Sequence, residues 1–121
     1  MAGEAVVHDW AELAVDRPMP LIERQRIIGE RAMISRVLLA KGFAVGTHRH
    51  DNEQFAIVLS GRIRFTLGPA EDPEQRVETL TGGQTLRIPA GAPHGAEALE
   101  ETLILDVFSP PSEKTGVDGA A

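Results

Sequence analysis

Three histidines and one glutamine stand at a spacing that could bind a metal ion. His48 and His50 are two residues apart, so on a β-strand their imidazoles would lie on the same face. Gln54 opens the following apolar run, and His94 comes much later, after a proline-framed turn. Three imidazoles and a carboxamide oxygen suit Zn, Fe, Mn, Ni or Cu. The sequence therefore predicts a site for one divalent transition metal, with one or two positions open to a substrate.

The elements that position these side chains read as short strands broken by Gly, Pro and Asp. In Arg62–Leu67 polar and apolar residues alternate, which predicts a strand with one buried face. Residues 89–94 are predicted to form a tight loop, because their prolines forbid a central strand. Residues 8–15 could form one or two helical turns, with Asp9 as the cap. The other predicted strands are residues 32–40, 54–60, 77–80, 84–88 and 102–108.

Many short strands with Gly and Pro turns indicate an all-β sandwich or barrel. The 121 residues fit a single domain. We expect this domain over residues 1–121, with a barrel core at about 25–110, a short N-terminal extension and a frayed tail at residues 116–121.

Composition excludes several classes of function. The chain has no cysteine, which rules out disulfides, a thiolate metal site and a cysteine nucleophile. Its net charge of -6 and the lack of a basic cluster argue against nucleic-acid binding. The N-terminus does not read as a signal peptide, and no apolar run approaches the ~20 residues of a membrane span. We therefore expect a cytoplasmic protein with neither a nucleic-acid nor a membrane partner.

The two segments that carry the candidate ligands resemble the two signature motifs of the cupin superfamily. The first motif is Gly, five residues, His-x-His, three or four residues, Glu, six residues and Gly; residues 42–61 match it, with Gln54 in place of Glu. The second is Gly, five residues, Pro-x-Gly, two residues, His, three residues and Asn. Residues 83–94 match it, and Ala98 replaces the Asn. The resemblance implies the cupin-type double-stranded β-helix, which is a jelly-roll barrel.

The glutamine sets this site apart from most cupin sites. Strand alternation sends Glu53 and Gln54 to opposite sides, and the motif spacing to Gly61 selects Gln54 as the ligand. A neutral carboxamide leaves the full +2 charge on a divalent ion, which favours an anionic or enolate-forming substrate. The site is therefore less like the His-His-carboxylate sites that activate oxygen.

Residues 48–61 and 92–111 resemble, more narrowly, the small pectin-degradation cupins that open the ring of unsaturated monouronates. That resemblance implies a His-His-Gln-His metal site, with Asp106 as the catalytic acid/base and Phe108 as the residue that shapes the pocket. It further implies a homodimer and a small-molecule substrate. From the residues alone, Asp106 in an apolar run predicts a cavity, or else a bond to a neighbouring loop. Phe108 could equally be ordinary core.

Two features leave the substrate and the function open. Members of this narrower group often carry an arginine after the Ser-Pro-Pro run, and this chain has Ser112 there. Arg36 could point into the barrel to hold a carboxylate, or it could lie on a solvated face. The leading hypothesis is a metal-dependent, non-redox enzyme that linearises an unsaturated uronate. The alternatives are polyketide-cyclase-like or lyase chemistry, a dioxygenase, and a non-catalytic cupin that binds a metal or small molecule.

Overall fold

A computed structural model describes residues 3–112, which form two antiparallel sheets and one short helix. One sheet has five strands in the order β1-β2-β9-β4-β7, and the other has four in the order β3-β8-β5-β6. The strands are β1 (Ile22–Ile28), β2 (Met33–Leu39), β3 (Ala44–His48), β4 (Glu53–Ser60), β5 (Arg62–Leu67), β6 (Arg76–Thr81), β7 (Thr85–Ile88), β8 (His94–Ala98) and β9 (Thr102–Ser109).

The two sheets enclose one apolar core, as the predicted all-β barrel requires. Along β2 every second residue is buried, and the same alternation runs along β4. Inward side chains of both sheets therefore meet in a single cluster. Its largest members include Phe43, Phe65, Ile63, Ile88 and Ile104.

The predicted strands agree with the observed ones to within one residue at each end, but three strands were not assigned. These are β1, β3 and β8. The predicted loop at residues 89–94 is one residue too long, because His94 is the first residue of β8. His48 and His50 do not share a strand either, because β3 ends at His48.

The segment that precedes the barrel has little regular structure. The predicted helical turns at residues 8–15 reduce to a 3₁₀-helix at Trp10–Glu12. Asp9 caps it as expected, since its Oδ1 accepts a hydrogen bond of 2.9 Å from the Ala11 amide. Within residues 3–112 no helix has the length and apolar character that a membrane span requires. The predicted frayed tail at residues 116–121 lies outside the described residues.

Two motif glycines share the left-handed conformation but differ in their surroundings. Gly42 and Gly61 both have φ of 91°. A Cβ at Gly61 would lie 2.2 Å from the Glu101 carbonyl oxygen and 2.6 Å from the Thr102 Cα, whereas one at Gly42 would meet nothing within 4 Å. The turn between β4 and β5 therefore rests directly on the start of β9, the strand that carries Asp106.

We expect Gly61→Ala to destabilise the protein far more than Gly42→Ala. Backbone strain alone costs about 1–2 kcal/mol, and both variants incur it. Gly61→Ala adds an overlap with backbone atoms that cannot move aside, so its total cost should exceed about 3 kcal/mol. Urea unfolding of the two variants measures the difference. Equal losses would show that the close approach to β9 does not constrain this turn.

Candidate metal centre

Three histidine rings converge at one end of the barrel. His48 ends β3 and His94 begins β8, and the two residues are direct partners in the antiparallel pairing of these strands. His50 lies in the connection to β4. The ring centroids are 4.5 Å apart for His48 and His94, 5.0 Å for His50 and His94, and 5.9 Å for His48 and His50. The candidate ligand atoms of the three rings all lie within 4.8 Å of one another.

Backbone carbonyls orient all three rings. In each case the Nδ1 atom lies within hydrogen-bond distance of a backbone carbonyl oxygen two residues away. When Nδ1 carries the proton and donates it to this oxygen, the lone pair of Nε2 remains for another partner. A metal-binding histidine usually donates its other ring N–H to an acceptor of this kind. The distances are 2.9 Å from His48 to Gly46, 3.1 Å from His50 to Asn52 and 2.9 Å from His94 to Ala92.

The connection that carries His50 is tied down on both sides. The backbone carbonyl of His50 accepts a hydrogen bond of 2.8 Å from the Gly91 amide, in the loop before β8. The Asn52 side chain donates a hydrogen bond to the carbonyl of Pro110, just after β9. These contacts place the His50 ring beside the other two although it lies outside the strands.

Burial favours the neutral form of two of these histidines, His94 and His50. It lowers the pKa of His94 to about 4, against weaker opposition from the Nδ1 contact with the Ala92 carbonyl. Burial also lowers the pKa of His50. Only neutral imidazoles have a lone pair for a metal, so His50 and His94 are ready to bind one at neutral pH without losing a proton.

Gln54 points into the same space, and Glu53 points away. The Oε1 of Gln54 lies 3.2 Å from the Nε2 of His50, while its Nε2 donates a hydrogen bond of 2.9 Å to Oδ1 of Asp106. Glu53 forms an exposed ion pair with Arg87 at 3.3 Å. As predicted from the alternation of side chains along a strand, the carboxamide of Gln54 lies beside the histidines and the carboxylate of Glu53 does not.

The surroundings of His50 fit a bound cation. Its two ring nitrogens each face a carbonyl-type oxygen, on Asn52 and on Gln54, but a neutral imidazole has only one proton to donate. A cation bound by both Nε2 of His50 and Oε1 of Gln54 removes this mismatch. Neighbouring ligands about 2.1 Å from a metal lie about 3 Å apart, which matches the observed 3.2 Å. The residues present thus fit a metal held by His48, His50, Gln54 and His94.

Comparison with known proteins identifies the family. Residues 35–108, more than half of the chain, match the cupin domain. This chain is a cupin. Among curated proteins, none matches its sequence.

Solved structures agree with this assignment. An RmlC-like cupin from Shewanella frigidimarina superposes with a TM-score of 0.80 at 19% identity, over 93% of this chain and 97% of that one. KdgF from Halomonas sp. superposes with a TM-score of 0.74 at 27% identity, over 88% and 95% of the two chains. Bacillus subtilis oxalate decarboxylase, a protein with Mn(II) centres, reaches 0.75 at 19% identity, over 93% of this chain but 33% of its own.

The candidate metal centre adjoins a cavity inside the barrel. Its volume is about 60 Å³. Most of the wall is apolar, and six polar or charged residues interrupt it. They are Arg24, Ser35, His48, Gln54, His94 and Asp106.

The two predicted catalytic residues both line this cavity. Asp106 lies on β9 next to Gln54, and burial raises the pKa of its carboxyl group to about 6, although the hydrogen bond from Gln54 opposes the shift. Phe108 is buried and packs edge-to-face on His50, with ring centroids 5.7 Å apart. Of the alternatives left open by the sequence, the structure thus favours a cavity at Asp106 over a loop contact.

The structure decides between the two alternatives for Arg36 and brings a different arginine to the cavity. Arg36 alternates with the buried residues Ser35 and Val37 on β2, so it faces outward, and it contacts Gln25 at 3.4 Å. Arg24, for which no role was predicted, lines the cavity. No signal in the sequence marked it, because Ile22–Ile28 has no regular alternation of polar and apolar residues.

Proposed function

We propose that this cupin is a metal-dependent, non-redox enzyme that opens the ring of an unsaturated uronate. One observation carries the proposal: the hydrogen bond of 2.9 Å that joins Asp106 to Gln54 places a carboxyl group directly beside the candidate metal ligands. The resemblance of residues 48–61 and 92–111 to the pectin-degradation cupins supports this substrate class, and the chain is similar to KdgF of Halomonas sp., at 27% identity over nearly the whole of both chains.

The donor set suits polarisation of an oxygen-rich substrate. Three imidazoles and one amide oxygen carry no charge, so a bound divalent ion would keep its full positive charge and act as a Lewis acid. Asp106 contacts Gln54 through the amide nitrogen, which turns the amide oxygen toward His50. The aspartate therefore orients the fourth ligand and stays outside the predicted ligand set.

Asp106 is placed to move protons. Its Oδ1 accepts the amide hydrogen of Gln54, which leaves Oδ2 to exchange a proton with a ligand in the cavity. A pKa of about 6 means that the carboxylate form dominates at pH 7, while the acid form remains within easy reach. One such group can serve as the base in one step and as the acid in the next.

Ring opening of a 4,5-unsaturated uronate needs only such proton transfers. A base removes the proton of the C1 hydroxyl, the bond between C1 and the ring oxygen breaks, and the ring oxygen takes up a proton as an enol. The enol proton is then lost and C4 gains one, which gives the open-chain keto aldehyde. Product and substrate are isomers, so no redox cofactor is required. In our proposal Asp106 carries the protons, and Phe108 with the apolar wall keeps competing water away.

Turnover of an unsaturated monouronate tests the proposal. Purified protein should remove the absorbance of the conjugated double bond, lose this activity on chelation and regain it when a divalent metal is restored. Gln54→Ala should also abolish the activity. Glu53→Ala, the control, changes the neighbouring outward side chain and should leave the activity unchanged. Metal-bound protein that leaves the absorbance unchanged would contradict the proposal and favour the other enzyme classes or a binding module.

The structure is of one chain, so the predicted homodimer stays a prediction, as does the cytoplasmic location. Light scattering in solution would test the dimer. A single species with the mass of one chain, 13.0 kDa, would contradict it.

A further inference from the structure

A serine hydroxyl lies on the wall of the cavity that the candidate metal centre adjoins. Ser35 is on β2, is 2% exposed and lines the same cavity as Asp106. The inward positions on either side of it along β2 hold the apolar residues Met33 and Val37. A buried hydroxyl destabilises a protein unless it forms a hydrogen bond. The serine at this position therefore needs an explanation beyond packing.

The Ser35 hydroxyl is open to the cavity. Within residues 3–112, every side-chain nitrogen or oxygen that is completely enclosed has a hydrogen-bond partner. The Ser35 hydroxyl contacts no partner in this part of the chain, so it is not enclosed, and the space that it borders is the cavity. A hydroxyl group can donate one hydrogen bond and accept others. A ligand in the cavity can therefore accept the proton of this group.

Thr102 shows how the same barrel accommodates a hydroxyl that serves the fold. It is fully buried at the start of β9. Its Oγ1 accepts a hydrogen bond of 3.1 Å from the Arg62 amide and donates one of 2.9 Å to the Glu100 carbonyl. Of the two buried hydroxyl side chains among residues 3–112, one thus bonds to the protein. The other, on Ser35, remains for a ligand.

The five-stranded sheet places Ser35 directly opposite Asp106. The two residues are partners in the antiparallel register of β2 and β9, and both line the cavity. Cβ atoms of directly opposite residues lie about 4.5–5.5 Å apart. The two side chains do not bond to each other, and Oδ1 of Asp106 accepts its hydrogen bond from Gln54. One ligand oxygen between them can therefore contact both the Ser35 hydroxyl and Oδ2 of Asp106.

Polar contacts on this part of the wall are confined to that one pair. The neighbouring inward pairs of β2 and β9 are apolar on both sides, and all of their residues are buried. They are Met33 with Phe108 and Val37 with Ile104. An oxygen that reaches this wall can form hydrogen bonds with side chains only between Ser35 and Asp106.

We propose that Ser35 donates a hydrogen bond to the substrate oxygen whose proton Asp106 removes. This inference rests on the proposed function, in which that oxygen is the C1 hydroxyl of an unsaturated uronate. As the proton moves to Oδ2 of Asp106, negative charge develops on the oxygen, and the hydrogen bond from Ser35 stabilises it. Ser35 keeps its own proton throughout the step. Its hydroxyl therefore supports the same proton transfer from the opposite strand.

Kinetics of Ser35→Ala test the assignment. We expect kcat for an unsaturated monouronate to fall about 10- to 100-fold, the usual effect of losing a hydrogen bond to a charged group. KM should change less than kcat, because the bond strengthens as charge develops. Metal content should equal that of the wild type. The Tm should be no lower, because the lost hydroxyl has no partner in residues 3–112.

Thr102→Val is the matched control. It removes the other buried hydroxyl and takes a hydrogen-bond partner from Arg62 and Glu100. Its Tm should fall, while kcat of the folded protein should stay at the wild-type value. A wild-type kcat in Ser35→Ala, or an equal loss of kcat in Thr102→Val, would each overturn the assignment.

Binding of D-glucuronate separates this assignment from the proposed reaction. This sugar acid keeps the C1 hydroxyl but lacks the double bond, and titration calorimetry on metal-loaded protein measures its affinity. Ser35→Ala should weaken binding about 2- to 10-fold, as expected for a hydrogen bond between neutral groups. Thr102→Val should leave the affinity unchanged.

The two failures then give different results. Uronate turnover that does not depend on Ser35 would refute the role of this residue and leave the reaction standing. Ser35-dependent binding of glucuronate by a protein without uronate turnover would support the hydrogen bond and refute the reaction. The absence of both turnover and Ser35-dependent binding would overturn both proposals.

Discussion

Replacing Asp106 by asparagine is expected to lower uronate turnover about 100- to 10,000-fold, the usual contribution of a positioned acid or base. The asparagine side chain has nearly the same shape, and its carbonyl oxygen can still accept the hydrogen bond from Gln54 that is 2.9 Å long in the wild type. What it cannot do is exchange a proton near neutral pH. Initial rates with an unsaturated monouronate measure the effect.

Metal content is the control for this variant. Because the amide of Gln54 keeps its partner, Asp106→Asn should bind as much metal as the wild type, as measured by elemental mass spectrometry. Full turnover in this variant would show that another group moves the protons. Metal loss parallel to activity loss would instead assign Asp106 a role in building the site.

Gln54→Glu, which installs the carboxylate usual in cupins, is expected to inactivate this one. The new carboxylate would replace the amide that now donates to Asp106, and two carboxylates so close cannot both be ionised. One of the two carboxyl groups would hold a proton at neutral pH. If Asp106 holds it, the proposed base is lost; if the new glutamate holds it, the new ligand has no charge. We expect turnover to fall at least about 100-fold and the Tm to fall as well.

A second substitution should restore the contact without restoring the reaction. In Gln54→Glu/Asp106→Asn, the asparagine amide can donate to the new carboxylate, so donor and acceptor exchange places. The double variant should recover most of the Tm lost by Gln54→Glu, with a coupling of about 1–3 kcal/mol in the double-mutant cycle, yet remain inactive. Additive stability losses would mean that the hydrogen bond does not link these positions.

Glu53→Gln serves as the control for this cycle. It makes the opposite exchange of amide and carboxylate one residue away, on the outward side of β4, where the side chain meets Arg87 in an exposed ion pair. Such pairs contribute little, so the free energy of unfolding should change by no more than about 0.5 kcal/mol. Turnover should be unaffected.

Gln54 and Asp106 are expected to act together, because a hydrogen bond joins their side chains. An acceptor-only ligand at position 54 would repel the aspartate, and an amide at position 106 could not carry a proton. The hydrogen bond between the two side chains therefore couples the residue type at position 54 to the residue type at position 106.

The sequence by itself determined the candidate ligands and much of the barrel. The spacing of His48, His50, Gln54 and His94 within the two motifs was enough to predict a shared site, and the structure brings these residues together. Arg62–Leu67 was predicted with its observed bounds because alternation of polar and apolar residues is a local property of the chain.

Only the tertiary structure decided that segments with little intrinsic preference for a strand become strands. β8 consists of small and polar residues, HGAEA, and has almost no intrinsic preference for a strand. It is extended because it pairs with β3 on one side and with β5 on the other. Backbone pairing with distant segments supplies the stabilisation that its own side chains lack.

The tertiary structure also decided which arginine faces the cavity. Arg24 and Arg36 both lie in strands of the same sheet, yet one points inward and the other outward. Facing is set by the register of β1 on β2, which pairs Arg24 with Val37 and Gln25 with Arg36. That register depends on the turn between the strands and on the fit of both to the core, since a shift by one residue would exchange the two faces.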